Sequence, residues 1–170
     1  MDRREYTYDG ASPTVDPAAS VSREATLAGE VRVAADVTVW PGAVLRGDVA
    51  PVELGAGSAI GDNAVLHGST VGEDGMVGHG AVCNDTTVEA GAIVGFNATV
   101  SDAVIGAESI VAMGSVVPSG YEVPEASFVR GTPARVTPLA ETDIDREAVY
   151  DEFGTGEYAH LTEGHAELFD

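Results

Sequence analysis

Two of the four histidines in this chain, His67 and His79, stand in its middle, in the segments Asn63-Ala64-Val65-Leu66-His67 and Val77-Gly78-His79-Gly80-Ala81. Imidazole is the commonest metal ligand among side chains and a general base near neutral pH. Two such segments therefore raise two chemistries: a divalent metal centre, or proton abstraction by a lone histidine. A histidine taken singly is more often a plain surface or interface residue. His160 and His165 lie in an acidic tail and receive no role. Whether His67 and His79 can act together depends on the elements that position them.

Those elements follow from an internal repeat, which has to be sought before any secondary structure is assigned. Leu54, Ile60 and Leu66 are followed by Val71, Val77 and Cys83, then Val88, Val94 and Val100, then Ile105, Val111 and Val117. The steps run six, six and five, so the pattern closes every 17 residues. Four residues after these positions come mostly small side chains that are expected to point inward as well, including Ser58, Ala64, Thr70, Gly75, Ala81, Thr87, Ala92, Ala98 and Val104. Short units with a β-branched inward position and a Gly- or Asp-rich bend make strands and corners, not helix. Three units complete a triangular rung, and stacked rungs bury a column of Val, Ile and Leu. The fold class expected is all-β, a parallel β-helix of hexapeptide repeats. A sandwich of short strands also shows regular turn signals, but gives no reason for a strict period.

Upstream, Leu27, Val33, Val39 and Leu45 continue the six-residue step, and the residues from Leu45 to Leu54 predict a longer corner. The expected organisation is an N-terminal arm over 1–14, the β-helix over 15–126 and a C-terminal extension over 127–170. In that extension Leu139, Ile144, Val149, Phe153, Tyr158, Leu161 and Leu168 recur among acids, broken at Gly154-Thr155-Gly156. This predicts one or two amphipathic α-helices, the first opening after Thr137-Pro138, packed along a prism face or over its open end.

Stacking turns spacing into geometry, because residues one period apart sit about 4.8 Å above one another. One outward column holds Arg46, His67, Asn84 and Ser101, and another holds Pro41, Asp62, His79, Phe96 and Met113. His67 and His79 are thus on different corners, too far apart to share an ion within one chain. A symmetric trimer would bring one corner of each prism against another corner of its neighbour.

Trp40-Pro41-Gly42-Ala43-Val44-Leu45-Arg46-Gly47-Asp48, both histidine segments and Gly131-Thr132-Pro133-Ala134-Arg135 together resemble the motif set of gamma-class carbonic anhydrases. The last segment also occurs widely among hexapeptide acyltransferases, so the Arg-Gly-Asp segment and the histidine segments carry the resemblance. It implies left-handed coiling, a homotrimer, and Zn2+ or Fe2+ held by three histidines at the subunit interface. It also implies reversible hydration of CO2 to bicarbonate. Carried over residue by residue, the metal ligands are His67, His79 from the neighbouring subunit, and Asn84 where the family has its third histidine. Arg46 and Asp48 match residues that form an intersubunit ion pair and orient the site, and Asp62 matches an acid beside the metal-bound water. The glutamine that usually precedes that acid is Gly61, and the loop that usually follows the first histidine is missing. An amide oxygen is a weaker zinc donor than imidazole, so the resemblance implies reduced affinity and relatively more room for harder ions.

Charge describes habitat more than chemistry. Acidic residues outnumber basic ones 28 to 8, lysine is absent, and the formal net charge is -20. A phosphate backbone would be repelled by that field, which excludes nucleic acid as a partner. The acids are scattered, as suits a halophilic protein whose self-repulsion is screened by salt, rather than clustered for a basic partner. No apolar run approaches the ~20 residues of a membrane span and no secretory n-region opens the chain. The lone Cys83 cannot form an internal disulfide, so a cytoplasmic protein is expected. Three functions remain in order: carbonic anhydrase-like hydration, a non-catalytic structural or binding trimer of the same family, and acyl transfer from acetyl-coenzyme A with one histidine as base. Against the last, no arginine lies between Arg46 and Arg130 to meet coenzyme A phosphates.

Overall fold

The computed structural model describes residues 4–153 and 161–169. Short parallel strands wind as a left-handed β-helix with three faces. One turn consists of Ala59–Ile60, Val65–His67 and Thr70–Val71; the next of Met76–Val77, Val82–Asn84 and Thr87–Val88. The pairing register is the sequence period itself: Met76 lies on Ala59, Ile93 on Met76 and Ile110 on Ile93. Leu45, Ile60, Leu66, Val71, Val77, Cys83, Val88 and Val94 are all fully buried in one continuous core. Each such aliphatic side chain contributes roughly 1.5–3 kcal/mol by leaving water.

The corners need backbone of positive φ. At one corner this is supplied alternately by glycine and asparagine: Gly42 (75°), Asn63 (57°), Gly80 (67°) and Asn97 (56°). The alternation is steric, since a Cβ on Gly42 would stand 2.3 Å from Asn63 Oδ1 and one on Gly80 2.4 Å from Asn97 Oδ1. Asn tolerates the left-handed region better than other side chains, and its amide fills the space the glycine below leaves open.

On the third face the small inward positions are Ser69, Thr86 and Ala103, all buried, and not Thr70, Thr87 and Val104, which face outward to varying degrees. The five-residue step shortens that corner, so the small position stays two residues before the next large one rather than four after the last. Ser69 and Thr86 then satisfy their hydroxyls on backbone: Ser69 Oγ donates toward Cys83 O and His67 O (3.1 Å each), and the N–H of Thr86 donates to Ser69 Oγ (3.1 Å).

The longer corner expected between Leu45 and Leu54 is instead one continuous strand, Val44–Leu54. Its partner Thr26–Val33 runs parallel beside it with a register shift between Gly29 and Val31, so both rungs lengthen together and keep their ladder bonds. Arg4–Tyr6 adds a parallel strand to Thr26–Ala28, and Thr14–Val15 pairs with Arg32–Val33. At the other end parallel pairing continues into Ser127–Gly131, which turns back as an antiparallel hairpin with Ala134–Pro138.

After Pro138 a single 3-10 turn, Leu139–Glu141, precedes the α-helix Arg146–Phe153. Leu139, Ile144, Val149 and Tyr150 pack on the outward face of the prism, against Met76, Ile93 and Ile110. The Arg146 guanidinium fixes the helix by donating to Gly91 O at 2.7 Å. A last helix, Ala166–Phe169, returns to the opposite end, where Arg23 bonds the Glu167 carbonyl. Trp40 is covered by this segment: its ring meets His165 and Phe169 edge-on at 6.2 and 5.4 Å. The break at 154–156, Tyr158 and His160 lie outside the described residues. No helix among the described residues is long and apolar enough to cross a membrane.

Candidate metal centre at the prism corners

Two corners carry the polar groups. Backbone pairing stacks Arg46 on His67, His67 on Asn84 and Asn84 on Ser101, so this column stands where its spacing places it. Around His67 the side chains form a connected chain. Arg46 donates to Asp48 Oδ2 through Nε (3.2 Å) and Nη2 (2.5 Å). Asp48 Oδ1 is 2.8 Å from His67 Nε2, and His67 Nδ1 is 3.0 Å from Asn84 Oδ1. Asn84 Nδ2 donates onward to Asp85 Oδ2 at 2.8 Å.

That last bond decides how Asn84 presents itself. With Nδ2 committed to Asp85, the amide turns its oxygen to the imidazole. Both ring nitrogens of His67 thus face side-chain oxygens. The Asp48 carboxyl is held below its ordinary value of 3.8, chiefly by the hydrogen bond from Arg46; desolvation opposes this, and the hydrogen bond from His67 adds a lesser lowering. It remains an ionised acceptor well into the acid range.

The second corner holds His79. Its Nδ1 receives the backbone N–H of Asp62 at 3.0 Å, and Asp62 Oδ2 lies 3.0 Å from the same nitrogen. The ring stacks on Phe96 of the next rung, with centroids 4.7 Å apart and planes 27° from parallel. Gly61 makes room for it: a Cβ there would stand 2.7 Å from both His79 N and His79 Nδ1. The missing glutamine side chain at position 61 and the inward-leaning imidazole are therefore one feature.

His67 ends the strand Val65–His67 of one sheet, whereas His79 lies in the turn that follows Met76–Val77 of the other. Among the described residues of one chain, no group of three or more His, Cys, Asp or Glu gathers where it could hold a metal ion. The donors present are two imidazoles and the Asn84 amide oxygen. At His67 Nε2 a metal would have to displace Asp48, and a neutral amide suits harder ions than zinc. The residues fit a weakly held divalent ion, not a tight zinc cage. Cys83 offers nothing instead: it is fully buried and burial pushes its thiol up to about 12.

Asp85 was not singled out from sequence, although it sets the direction of Asn84. Its signal is the corner pattern, since Asp85 has a positive φ of 48° and its Oδ1 occupies the space over Gly68.

No family model matches the chain. Among curated proteins, gamma carbonic anhydrase 3, mitochondrial, of Arabidopsis thaliana is 45% identical over 56 residues, 33% of this chain and 22% of that protein. A carbonic anhydrase of Geobacillus kaustophilus is 36% identical over 64 residues, 38% of this chain and 35% of its own length. The chain thus spans only 22% and 35% of these relatives. Among solved structures, a hexapeptide transferase family protein of Anaplasma phagocytophilum superposes with a TM-score of 0.88 at 31% identity, over 96% of this chain and 99% of the other.

Proposed function

The chain belongs to the hexapeptide-repeat family of gamma carbonic anhydrase-like proteins, and on that footing we propose that it works as a homotrimer hydrating CO2 reversibly to bicarbonate. The site would lie where the His67 corner of one subunit meets the His79 corner of the next. The observation that carries this reading is the unbroken hydrogen-bonded chain Arg46, Asp48, His67, Asn84, in which Asp48 reaches the column from the strand of Arg46, together with a second corner where Asp62 and His79 converge.

His67 and Asn84 of one subunit and His79 of its neighbour would hold a divalent ion, Zn2+ or Fe2+. Such an ion supplies Lewis acidity that makes hydroxide available near neutral pH. The chain's own groups do the positioning. Arg46 keeps Asp48 ionised, and Asp48 keeps the His67 ring in one orientation. The Asp62 carboxylate, 40% exposed, is an acceptor placed to orient a water beside His79. Phe96 closes the other face of that ring to solvent.

One observation favours a second reading, a non-catalytic trimer of the same family. Asn84 and Asp48 between them occupy both nitrogens of His67, so the column is self-satisfied as a hydrogen-bonded surface. Acyl transfer from acetyl-coenzyme A ranks third, and saturable binding of that thioester would bring it forward.

Elemental analysis of purified protein in high salt, light scattering for the oligomer, and stopped-flow CO2 hydration test the proposal together. About one metal per subunit, a trimer and measurable hydration are expected. A metal-free, inert trimer would shift the assignment to the second reading, and a monomer would remove the site altogether.

A further inference from the structure

The hairpin Ser127–Gly131 and Ala134–Pro138 places Arg130 directly opposite Arg135. Directly opposed residues of an antiparallel pair have their Cβ atoms about 5 Å apart, and like charges there are destabilising. The juxtaposition is unexpected in a chain with 28 acidic and 8 basic residues. Three other arginines are committed: Arg32 to Glu30 and Glu53, Arg46 to Asp48, Arg146 to backbone carbonyls. Neither the Arg130 nor the Arg135 side chain forms an ion pair or hydrogen bond with any described residue, and the Arg130 guanidinium stands over the Phe128 ring at 5.9 Å.

Arg130 and Arg135 line one cavity of about 400 Å³ with Phe128, Thr137, Thr142 and Ile144. Phe128 opposes Thr137 just as Arg130 opposes Arg135, so these four side chains share one face of the hairpin. Thr142 already donates its hydroxyl to Leu139 O at 2.8 Å, and Thr137 is the second threonine lining the cavity. The lining thus combines two arginines and two threonines with the apolar Phe128 and Ile144. Guanidinium forks match the oxygens of a tetrahedral oxyanion bidentately, which a spherical halide cannot exploit. A dianion would also cancel the repulsion between the two arginines.

We propose that the Arg130 and Arg135 pocket binds a phosphate dianion, either free or as the terminal group of a small phosphomonoester. The site belongs to the sheet that does not carry His67, and its occupancy does not depend on a metal at the corners.

Calorimetric titration of the intact protein with inorganic phosphate and, separately, with glycerol phosphate, at fixed ionic strength in KCl, tests this. Saturable binding of one anion per chain is expected. Tighter binding of inorganic phosphate assigns the free ion, and tighter binding of glycerol phosphate assigns an ester. Arg130→Gln and Arg135→Gln should each weaken binding about tenfold, and the double variant should abolish it. Arg130→Lys with Arg135→Lys, which keeps the charge but not the fork, should also lose about tenfold. As a second readout, phosphate should raise the melting temperature of the wild type and leave that of the double Gln variant unmoved. Absence of saturable binding for both probes, or wild-type affinity in the double Gln variant, overturns the proposal.

Discussion

His67 Nε2 lies 2.8 Å from Asp48 Oδ1, the carboxylate that Arg46 grips from its other oxygen. An imidazole held this way has its orientation set before any ligand arrives, yet the nitrogen a metal would use already faces an oxygen. With Asn84 on the other ring nitrogen, the corner is poised between a hydrogen-bonded surface and an ion site. The variants below separate the two.

Replacing the amide with an imidazole should tip that balance toward metal. Asn84→His removes the acceptor opposite His67 Nδ1 and supplies a third nitrogen donor, so zinc affinity should rise by about tenfold or more. Competition against a chromophoric chelator reads the change. Unaltered affinity would show that the two corners do not meet between subunits.

Asp48 should make the protein sensitive to acid in a defined direction. Its folded pKa lies below 3.8, so its stabilising contribution is complete above the ordinary carboxylate value and is lost as pH falls through the lowered one. In acid titrations followed by circular dichroism, Asp48→Asn should flatten the lower limb of the profile while leaving stability above it less dependent on pH. An identical acid limb in the variant would mean that the ion pair with Arg46 is not felt in folding.

Cys83 should behave as a buried hydrocarbon. Its thiol is raised from 9.0 to about 12 by burial, so the folded chain should resist alkylation near pH 8 and react only when unfolded. The sign with pH is opposite to that of Asp48: the contribution is intact below about 9 and is lost as pH climbs toward about 12. Rapid labelling of native protein by iodoacetamide would contradict the inward placement.

Gly61→Ala should act on His79 specifically. The added Cβ would meet His79 N and Nδ1 at 2.7 Å, and overpacking of this kind costs about 1–3 kcal/mol. Chemical denaturation should register the loss, and the His79 ring resonances should shift while those of His67 do not. A variant as stable as wild type with unmoved His79 signals would refute the steric account.

Salt should stabilise the fold. A net charge of -20 is self-repulsive, and raising KCl from about 0.1 to 1 M shortens the Debye length from about 10 to 3 Å. The melting temperature should rise over that range. A flat or falling curve would remove the halophilic reading of the composition.

What the sequence determined by itself was the repeat and everything that follows from its arithmetic. A period of 17 with β-branched inward residues specifies which side chains stack, because each rung can hydrogen-bond only in register with the next. The Arg46, His67, Asn84 column was therefore legible without coordinates, as was the burial of Cys83. Position within a rung was less so. Ser69 and Thr86 replaced Thr70 and Thr87 in the core because a shortened corner shifts which residue points inward, a backbone adjustment that hydrophobicity does not encode.

Contacts between distant segments were decided only in three dimensions. The cover of Trp40 by His165 and Phe169 joins residues more than a hundred positions apart, and no periodic signal links them. The direction of the Asn84 amide depends on Asp85, and the opposition of Arg130 to Arg135 depends on where the final strand turns back. Spacing places a side chain on a face, but only packing selects its rotamer and its partner, and the chemistry of both corners rests on that choice.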